Sequence, residues 1–240
     1  MQTEGSVALV TGANRGIGRA YVEALLEHGA RRIYAAARAL STLDAVVALD
    51  KNRIHPVKLD VTNEADARAV AAQAEDVNLL INNAAILDVG GSTDVSMDAV
   101  RANMETNFFG TLNVTRAFIP ALEKHHGAVV NMLTLVALVS MPALSAYNAS
   151  KAAVWSLTQS LRADLSKRGI AVHGVFPGAV DTDMIRNFQM LKTPPIDIAR
   201  AVLSAVATGD EDIFPDPMAQ RVYAAWRLDP KAVERQFASM

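Results

Sequence analysis

The chain has 240 residues, 51% of them hydrophobic and 20% charged, with a formal net charge of −2. That length and apolar fraction suit one α/β domain over residues 1–240, and the near-neutral charge argues against an electrostatic grip on nucleic acid or an anionic membrane. There is no cysteine, which excludes disulfides, thiolate catalysis and cysteine-based zinc sites and makes a reducing, cytoplasmic setting the expectation.

Residues 1–6 show neither a basic start nor an apolar segment, so no secretory signal is expected. The first strand is predicted at Val7–Val10, followed by a glycine-rich turn. From Ile17 the apolar positions Ala20, Tyr21, Ala24 and Leu25 keep helical spacing, with Arg19, Glu23 and Glu27 outside, and Gly29 ends the helix. Further strands are expected at Arg32–Ala36, His55–Leu59, Leu79–Ile81, Ala128–Leu133 and Ala171–Phe176. Helices are expected between them at Ser41–Leu49, Glu64–Ala74, Met97–Leu122 and Ala149–Leu165. This alternation predicts parallel strands with right-handed crossovers, hence a doubly wound sheet covered by helices on both faces. The most apolar stretch, 128–144, is interrupted by Asn131, Thr134, Ser140 and Pro142, and so is too short and polar to span a bilayer. Residues 184–195, rich in Met, Phe and Pro, break the alternation and read as a loop or short helices over a site.

The turn Thr11-Gly12-Ala13-Asn14-Arg15-Gly16-Ile17-Gly18 sits between the first strand and first helix. Such a turn offers backbone N–H groups and a positive helix end to an anion, and its glycines let the backbone approach a pyrophosphate. Its spacing, Gly-x-x-x-Gly-x-Gly, differs from the commoner Gly-x-Gly-x-x-Gly, and three glycines can also be no more than a tight connection. The position at the carboxyl end of a parallel strand favours a dinucleotide. NAD-binding sheets place an acid at the end of the second strand, for the ribose hydroxyls. Here that end reads Ala35-Ala36-Ala37-Arg38, with no acid. Arg15 and Arg38 can instead hold a 2′-phosphate through charge-assisted bonds, which predicts NADP(H) rather than NAD(H). The alternative is two solvated surface arginines.

Tyr147-Asn148-Ala149-Ser150-Lys151 puts a phenol and an ammonium on one helix face. A free tyrosine, with a pKa near ~10, is a poor base at neutral pH; a neighbouring ammonium favours its phenolate. Without other context such a pair is usually ordinary amphipathic surface.

Taken in order, Thr-Gly-x-x-x-Gly-Ile-Gly at 11–18, Asn82-Asn83-Ala84-Ala85, Tyr147-x-x-x-Lys151 and Phe176-Pro177-Gly178-x-Val180-x-Thr182 resemble the short-chain dehydrogenase/reductase family. The resemblance runs from about residue 5 to 208. It implies a Rossmann-type fold with about seven parallel strands, a nicotinamide cofactor, a small carbonyl or alcohol substrate, and a homodimer or homotetramer. By position it implies that Tyr147 is the acid/base and that Lys151 lowers its pKa and binds the nicotinamide ribose. Asn107, in Thr106-Asn107-Phe108-Phe109-Gly110, would hold a water in a proton relay to Lys151. The resemblance makes Gly12, Asn14, Arg15, Gly16, Ile17 and Gly18 the phosphate turn and Asp60-Val61 the adenine-side contact. It makes Asn83 with Ala84 the wall beside the ribose, and gives Pro177, Gly178, Val180 and Thr182 the carboxamide. The implied activity is an NADP(H)-dependent carbonyl reductase or alcohol dehydrogenase.

Two features depart from that pattern. Thr134 stands thirteen residues before Tyr147, where the family usually has serine; its hydroxyl can still donate to a carbonyl oxygen, although the extra methyl crowds the pocket, and it can also simply bond backbone at a strand end. At the C-terminus, Glu211-Asp212-Ile213-Phe214-Pro215-Asp216-Pro217 replaces the usual strand and turn and leads into a helical tail through Trp226 and Phe237, so residues 211–240 form an extension that places tetramer contacts in doubt. Met184, Phe188, Met190 and Leu191 are candidates for an apolar substrate wall or for plain lid packing. Substrate contacts are also expected from residues 85–95. Trp155 reads as core or subunit interface. His125, His126 and His173 have no metal-spaced partners, so no metal site is expected. Two other readings are a non-catalytic NADP(H) sensor or scaffold on the same fold and a nucleotide-sugar epimerase or dehydratase; the latter class usually has a different glycine spacing and a large C-terminal substrate domain.

Overall fold

A computed structural model describes residues 3–239. Its centre is one seven-stranded, wholly parallel sheet: β1 (Val7–Thr11), β2 (Arg32–Ala37), β3 (Ile54–Lys58), β4 (Leu79–Asn82), β5 (Ala128–Met132), β6 (Ala171–Val175) and β7 (Asp212–Ile213). The spatial order is β3-β2-β1-β4-β5-β6-β7, so the chain runs outward one way from β1, returns, and runs outward the other way. This is the Rossmann-type doubly wound sheet expected from the alternation. The reversal between β1 and β4 leaves a crevice at their carboxyl ends, where such sheets bind ligands.

The central strands are apolar because both faces are covered: every residue of β1, β4 and β5 is buried. Alternation sorts their side chains. Ala8, Val10, Ile33, Leu79 and Val130 pack with α1 (Gly16–Glu27) and α7 (Pro195–Thr208) on one face. Val7, Leu9, Leu80, Val129 and Val172 pack with α3 (Glu64–Gln73), α5 (Gly110–Lys124) and α6 (Ser145–Ser166) on the other. β3 is an edge strand, which is why it tolerates Pro56.

Several elements differ from the sequence reading, among them α7, which lies beyond the expected helices. The single helix expected over 97–122 is α4 (Met97–Asn103), a π-helical segment over Met104–Phe109, and then α5. Within the expected 41–49 helix a 3-10 turn, Leu40–Leu43, precedes a short α2 (Asp44–Val47). The region 211–217 does supply a seventh strand, but β7 is two residues long and pairs only through Gly174–Asp212 and Val175–Ile213. The tail is two helices, α8 (Pro217–Leu228) and α9 (Pro230–Ala238). Each is started by an aspartate whose carboxylate accepts a first-turn N–H, Asp216 from Ala219 and Asp229 from Ala232, with proline in the first turn. No helix among the described residues is long and apolar enough to cross a membrane.

Candidate active site

The carboxyl ends of β1 to β6 open on one cavity of about 800 Å³. Gly12 reaches it from β1, Arg38 from β2, Asp60 and Val61 from β3, Asn83 and Ala84 from β4, Thr134 from β5, and Pro177 and Gly178 from β6. Asn14, Arg15, Gly16, Ile17, Tyr147, Lys151, Val180 and Thr182 also line it. Of the residues singled out in the sequence, Gly18 and Asn107 lie behind this wall rather than in it.

The glycine turn is fixed from below. The Thr11 hydroxyl donates to Ile81 O and accepts from the backbone N–H of Asn83 and of Ala84 at 2.9 and 3.0 Å, and Asn83 Nδ2 donates back to Thr11 O at 2.9 Å. Gly12 and Gly16 have φ of 65° and 54°, a region that favours glycine. A Cβ on Gly18 would lie 2.1 Å from Gly12 O, so that glycine serves packing of α1 on the turn. Arg15, at the N-cap of α1, supplies no side-chain acceptor, and the first turn has no acid. The helix therefore presents unpaired N–H groups and the positive end of its dipole to the cavity, the arrangement that suits a pyrophosphate. Arg38 makes no ion pair among the described residues and has no acid beside it at the end of β2. Arg15 reaches Asp183 at 3.5 Å, but with the two side chains 70% and 51% exposed that pair is weak and easily exchanged. These residues fit an anionic dinucleotide. Asp60 turns its carboxylate back on the chain, accepting from the backbone N–H and hydroxyl of Thr62 at 3.0 and 2.7 Å.

The other half of the cavity is set by the first turns of α6. Tyr147 and Lys151 are both buried, with Lys151 Nζ 5.8 Å from the phenol ring centroid. Nζ donates to Met132 O at 2.7 Å, which ties α6 to the end of β5. Burial alone pushes the Tyr147 phenol well above its ordinary range, and the same desolvation pushes the Lys151 ammonium down to about 8. The sequence reading expected the ammonium to favour the phenolate. The larger effect is loss of water, which disfavours both charges. Thr134 caps the 3-10 turn Leu135–Ala137, accepting from Val136 N at a long 3.4 Å. Its hydroxyl proton has no acceptor among the described residues, so capping leaves it free to donate.

Asn107 is fully buried in the π-helical segment. Its amide is engaged on both ends: Oδ1 accepts from Ile86 N at 2.9 Å, and Nδ2 donates to Ile86 O at 3.0 Å and Ser150 Oγ at 2.9 Å. Ser150 Oγ in turn donates to Tyr147 O. Asn107 thus links the segment after β4 to the turn of α6 between Tyr147 and Lys151, a positional role visible without any relay.

Other residues around the cavity complete the picture, some of them given no role in the sequence reading. Asn82 Nδ2 donates to Thr115 Oγ1 and Asn131 Oδ1, and Asn131 Nδ2 to Thr158 Oγ1, a buried chain that joins α5, β4, β5 and α6. Each such bond contributes about 1 kcal/mol net, and removing one partner costs more because the other stays buried and unpaired. The tail, read from the sequence only as an extension that places tetramer contacts in doubt, reaches the cavity through Met218, Val222, Val233 and Phe237. From the 184–195 loop Met184, Phe188 and Met190 line the cavity, whereas Leu191 is 85% exposed and does not. Trp155 packs edge-on against Phe176 and Trp226. His173 is a buried strand residue bonded to Asp210 O, and no cluster of three or more metal-ligating side chains occurs among the described residues.

Fold and cavity together define a Rossmann-type oxidoreductase. The family model described as short chain dehydrogenase matches residues 6–191, and the chain belongs to the short-chain dehydrogenase/reductase family. It is 31% identical to an uncharacterized oxidoreductase of Staphylococcus aureus, over 83% of this chain and 90% of the relative. A short chain dehydrogenase from Burkholderia cenocepacia, solved in complex with NADP, superposes with a TM-score of 0.94 at 39% identity over 99% of both chains. A short chain dehydrogenase/reductase from Burkholderia phymatum, in complex with NAD, gives 0.85 at 26% identity over 98% of this chain and 96% of its own.

Proposed function

We propose that the protein is an NADP(H)-dependent reductase that interconverts a ketone or aldehyde and an alcohol. The observation that carries this reading is the placement of Tyr147 and Lys151, buried one helical turn apart, in the cavity that also receives the open N-terminus of α1. The nicotinamide, when bound, supplies or takes the hydride. Thr134 and Tyr147 hold the carbonyl oxygen as it gains charge, in the manner of an oxyanion hole. Tyr147 gives that oxygen its phenolic proton in reduction and takes one from the alcohol in oxidation. Lys151, held by Met132 O, supplies the positive charge that offsets the phenolate. Purified protein is expected to oxidise NADPH only when a carbonyl compound is added; no carbonyl-dependent oxidation across a broad panel of ketones and aldehydes rejects the reading.

The cofactor preference rests on Arg38 and on the missing acid at the end of β2, and the NADP in the 39% identical relative supports it. Arg38→Asp removes a cation and adds the anion that ribose hydroxyls favour. The ratio of kcat/KM with NADPH to that with NADH is expected to fall by about 100-fold, as for loss of one charge-assisted bond plus repulsion. An unchanged ratio in steady-state assays excludes Arg38 as the selector.

For Thr134, replacement by valine keeps the shape and deletes the donor. Turnover is expected to fall by about 10²-fold, the usual cost of one oxyanion donor. Thr134→Ser keeps the hydroxyl and is expected to retain turnover, so the pair separates donation from packing.

A further inference from the structure

The tail helices put a regular face into the cavity. On α8 the lining residues are Met218, Arg221, Val222 and Ala225, and on α9 they are Val233, Gln236 and Phe237. These are i, i+3, i+4 spacings, so one stripe of each helix looks inward. The stripes are apolar except at Arg221 and Gln236.

One arginine stands apart among the charged residues of the cavity. The charged residues that line it are Arg15, Arg38, Asp60, Lys151, Asp183 and Arg221. Arg15 and Asp183 face each other, Asp60 is bonded by Thr62, and Lys151 by Met132 O. Arg38 stands at the end of β2, among the residues that suit the dinucleotide. Arg221 is left, exposed and with no ion pair or side-chain hydrogen bond among the described residues, on the β6–β7 side of the sheet.

Its helix is not loosely attached. The buried carboxylate of Asp216, 1% exposed, accepts from Ala219 N at 2.9 Å and from Gly178 N at 2.8 Å, which joins the start of α8 to the segment after β6. Val222 and Trp226 pack with Val136 and Val139, just beyond Thr134. An arginine on such a helix offers a donor fork at the apolar end of a reaction cavity, from an anchored backbone, and a guanidinium matches a carboxylate in planar geometry.

We propose that Arg221 is a specificity residue that binds the carboxylate of the substrate, which is therefore a carbonyl compound with an apolar body and an anionic end remote from the reacting carbon. The proposal rests on the reductase reading given above.

The test uses methyl-ketone acids of the form CH3CO(CH2)nCO2−, with n varied, each beside its methyl ester, with NADPH as reductant. At the best chain length the wild-type protein is expected to prefer acid to ester by about 10-fold or more in kcat/KM, the scale of one charge-assisted bond. In Arg221→Met the acid-to-ester ratio falls to about one, through KM for the acid. In Arg221→Lys, which keeps the charge without the fork, the ratio is partly restored. Equal use of acid and ester by the wild-type protein at every n overturns the proposal, as does a ratio that Arg221→Met leaves unchanged. Turnover of neutral ketones without any acid overturns it too while leaving the reductase reading intact. If neither acids, esters nor a wider panel of carbonyls oxidise NADPH, it is the reductase reading that falls, and this proposal with it.

Discussion

Tyr147→Phe is expected to lower kcat for carbonyl reduction by about 10³-fold while leaving the Kd for NADPH within about 3-fold, since general acid–base groups supply about 10²–10⁴ of rate and little ground-state binding. The substitution removes one oxygen and keeps the ring, which packs with Met141, Leu144, Leu87, Val136 and Phe188. The phenol makes no hydrogen bond among the described residues, so its loss orphans nothing and Tm should hold. Desolvation holds the phenol protonated through neutral pH, which suits it as the acid of reduction. The reverse reaction needs the phenolate. Alcohol oxidation by the wild-type protein is therefore expected to rise with pH across a range where carbonyl reduction stays level or falls. Parallel kinetics in both directions, with NADPH binding followed by fluorescence titration, give the check. Near-normal turnover in Tyr147→Phe excludes the phenol as proton donor, and parallel pH profiles in the two directions exclude the desolvation argument.

The parts of this fold that show in the sequence are those whose causes are local. β1, β4 and β5 are buried on both faces, so each must be an apolar run, and each reads as one. The glycine turn shows because Gly12 and Gly16 adopt positive φ and Gly18 leaves no room for a Cβ, demands that no other residue meets at low cost. Helical spacing places Tyr147 and Lys151 on one face, and it is the accompanying motifs of the family resemblance, not that spacing, that single the pair out. What stayed hidden depends on neighbours distant in sequence. The pattern over 97–122 continues through the π segment, and nothing in it announces that Asn107 will bond Ile86 and Ser150 or that Gly110 must lie against Val61. β7 has two residues, one exposed and one buried, too few to show a period. α7 is a different case: Pro195 at its start, Ile198, Val202 and Val206 inside, and Gly209 with φ of 87° at its end are ordinary helix signals, and the alternation as read simply stopped before them. The 218/221/222/225 stripe of the tail was equally regular, but a stripe does not say whether a partner subunit or a cavity covers it.

Lys151→Met is expected to separate stability from catalysis. At neutral pH the folded chain carries a buried ammonium whose pKa is displaced from 10.5 to about 8 by desolvation, a cost on the order of 3 kcal/mol. Methionine fills a similar volume with no charge to desolvate, against which Met132 O loses its 2.7 Å partner, a loss of about 1–3 kcal/mol. The variant should melt no lower than the wild-type protein at pH 7, and on balance slightly higher. The sign of the pH dependence follows from the displacement. Below pH 8 both folded and unfolded wild-type chains hold the proton, and the cost is paid in full. Between about 8 and 10 the unfolded chain still binds the proton that the folded chain has released, so wild-type stability gains with rising pH. Lys151→Met lacks that gain, and the difference in Tm between the two proteins should shift toward the wild type across that interval. Turnover, by contrast, should drop by about 10²-fold or more, because the positive charge beside the phenolate is gone while the phenol itself remains. Thermal melts from pH 6 to pH 10 with steady-state assays on the same samples carry the test. A variant that melts well below the wild type at pH 7 would show that the Nζ–Met132 bond outweighs desolvation, and full turnover would show that Tyr147 ionises without the ammonium.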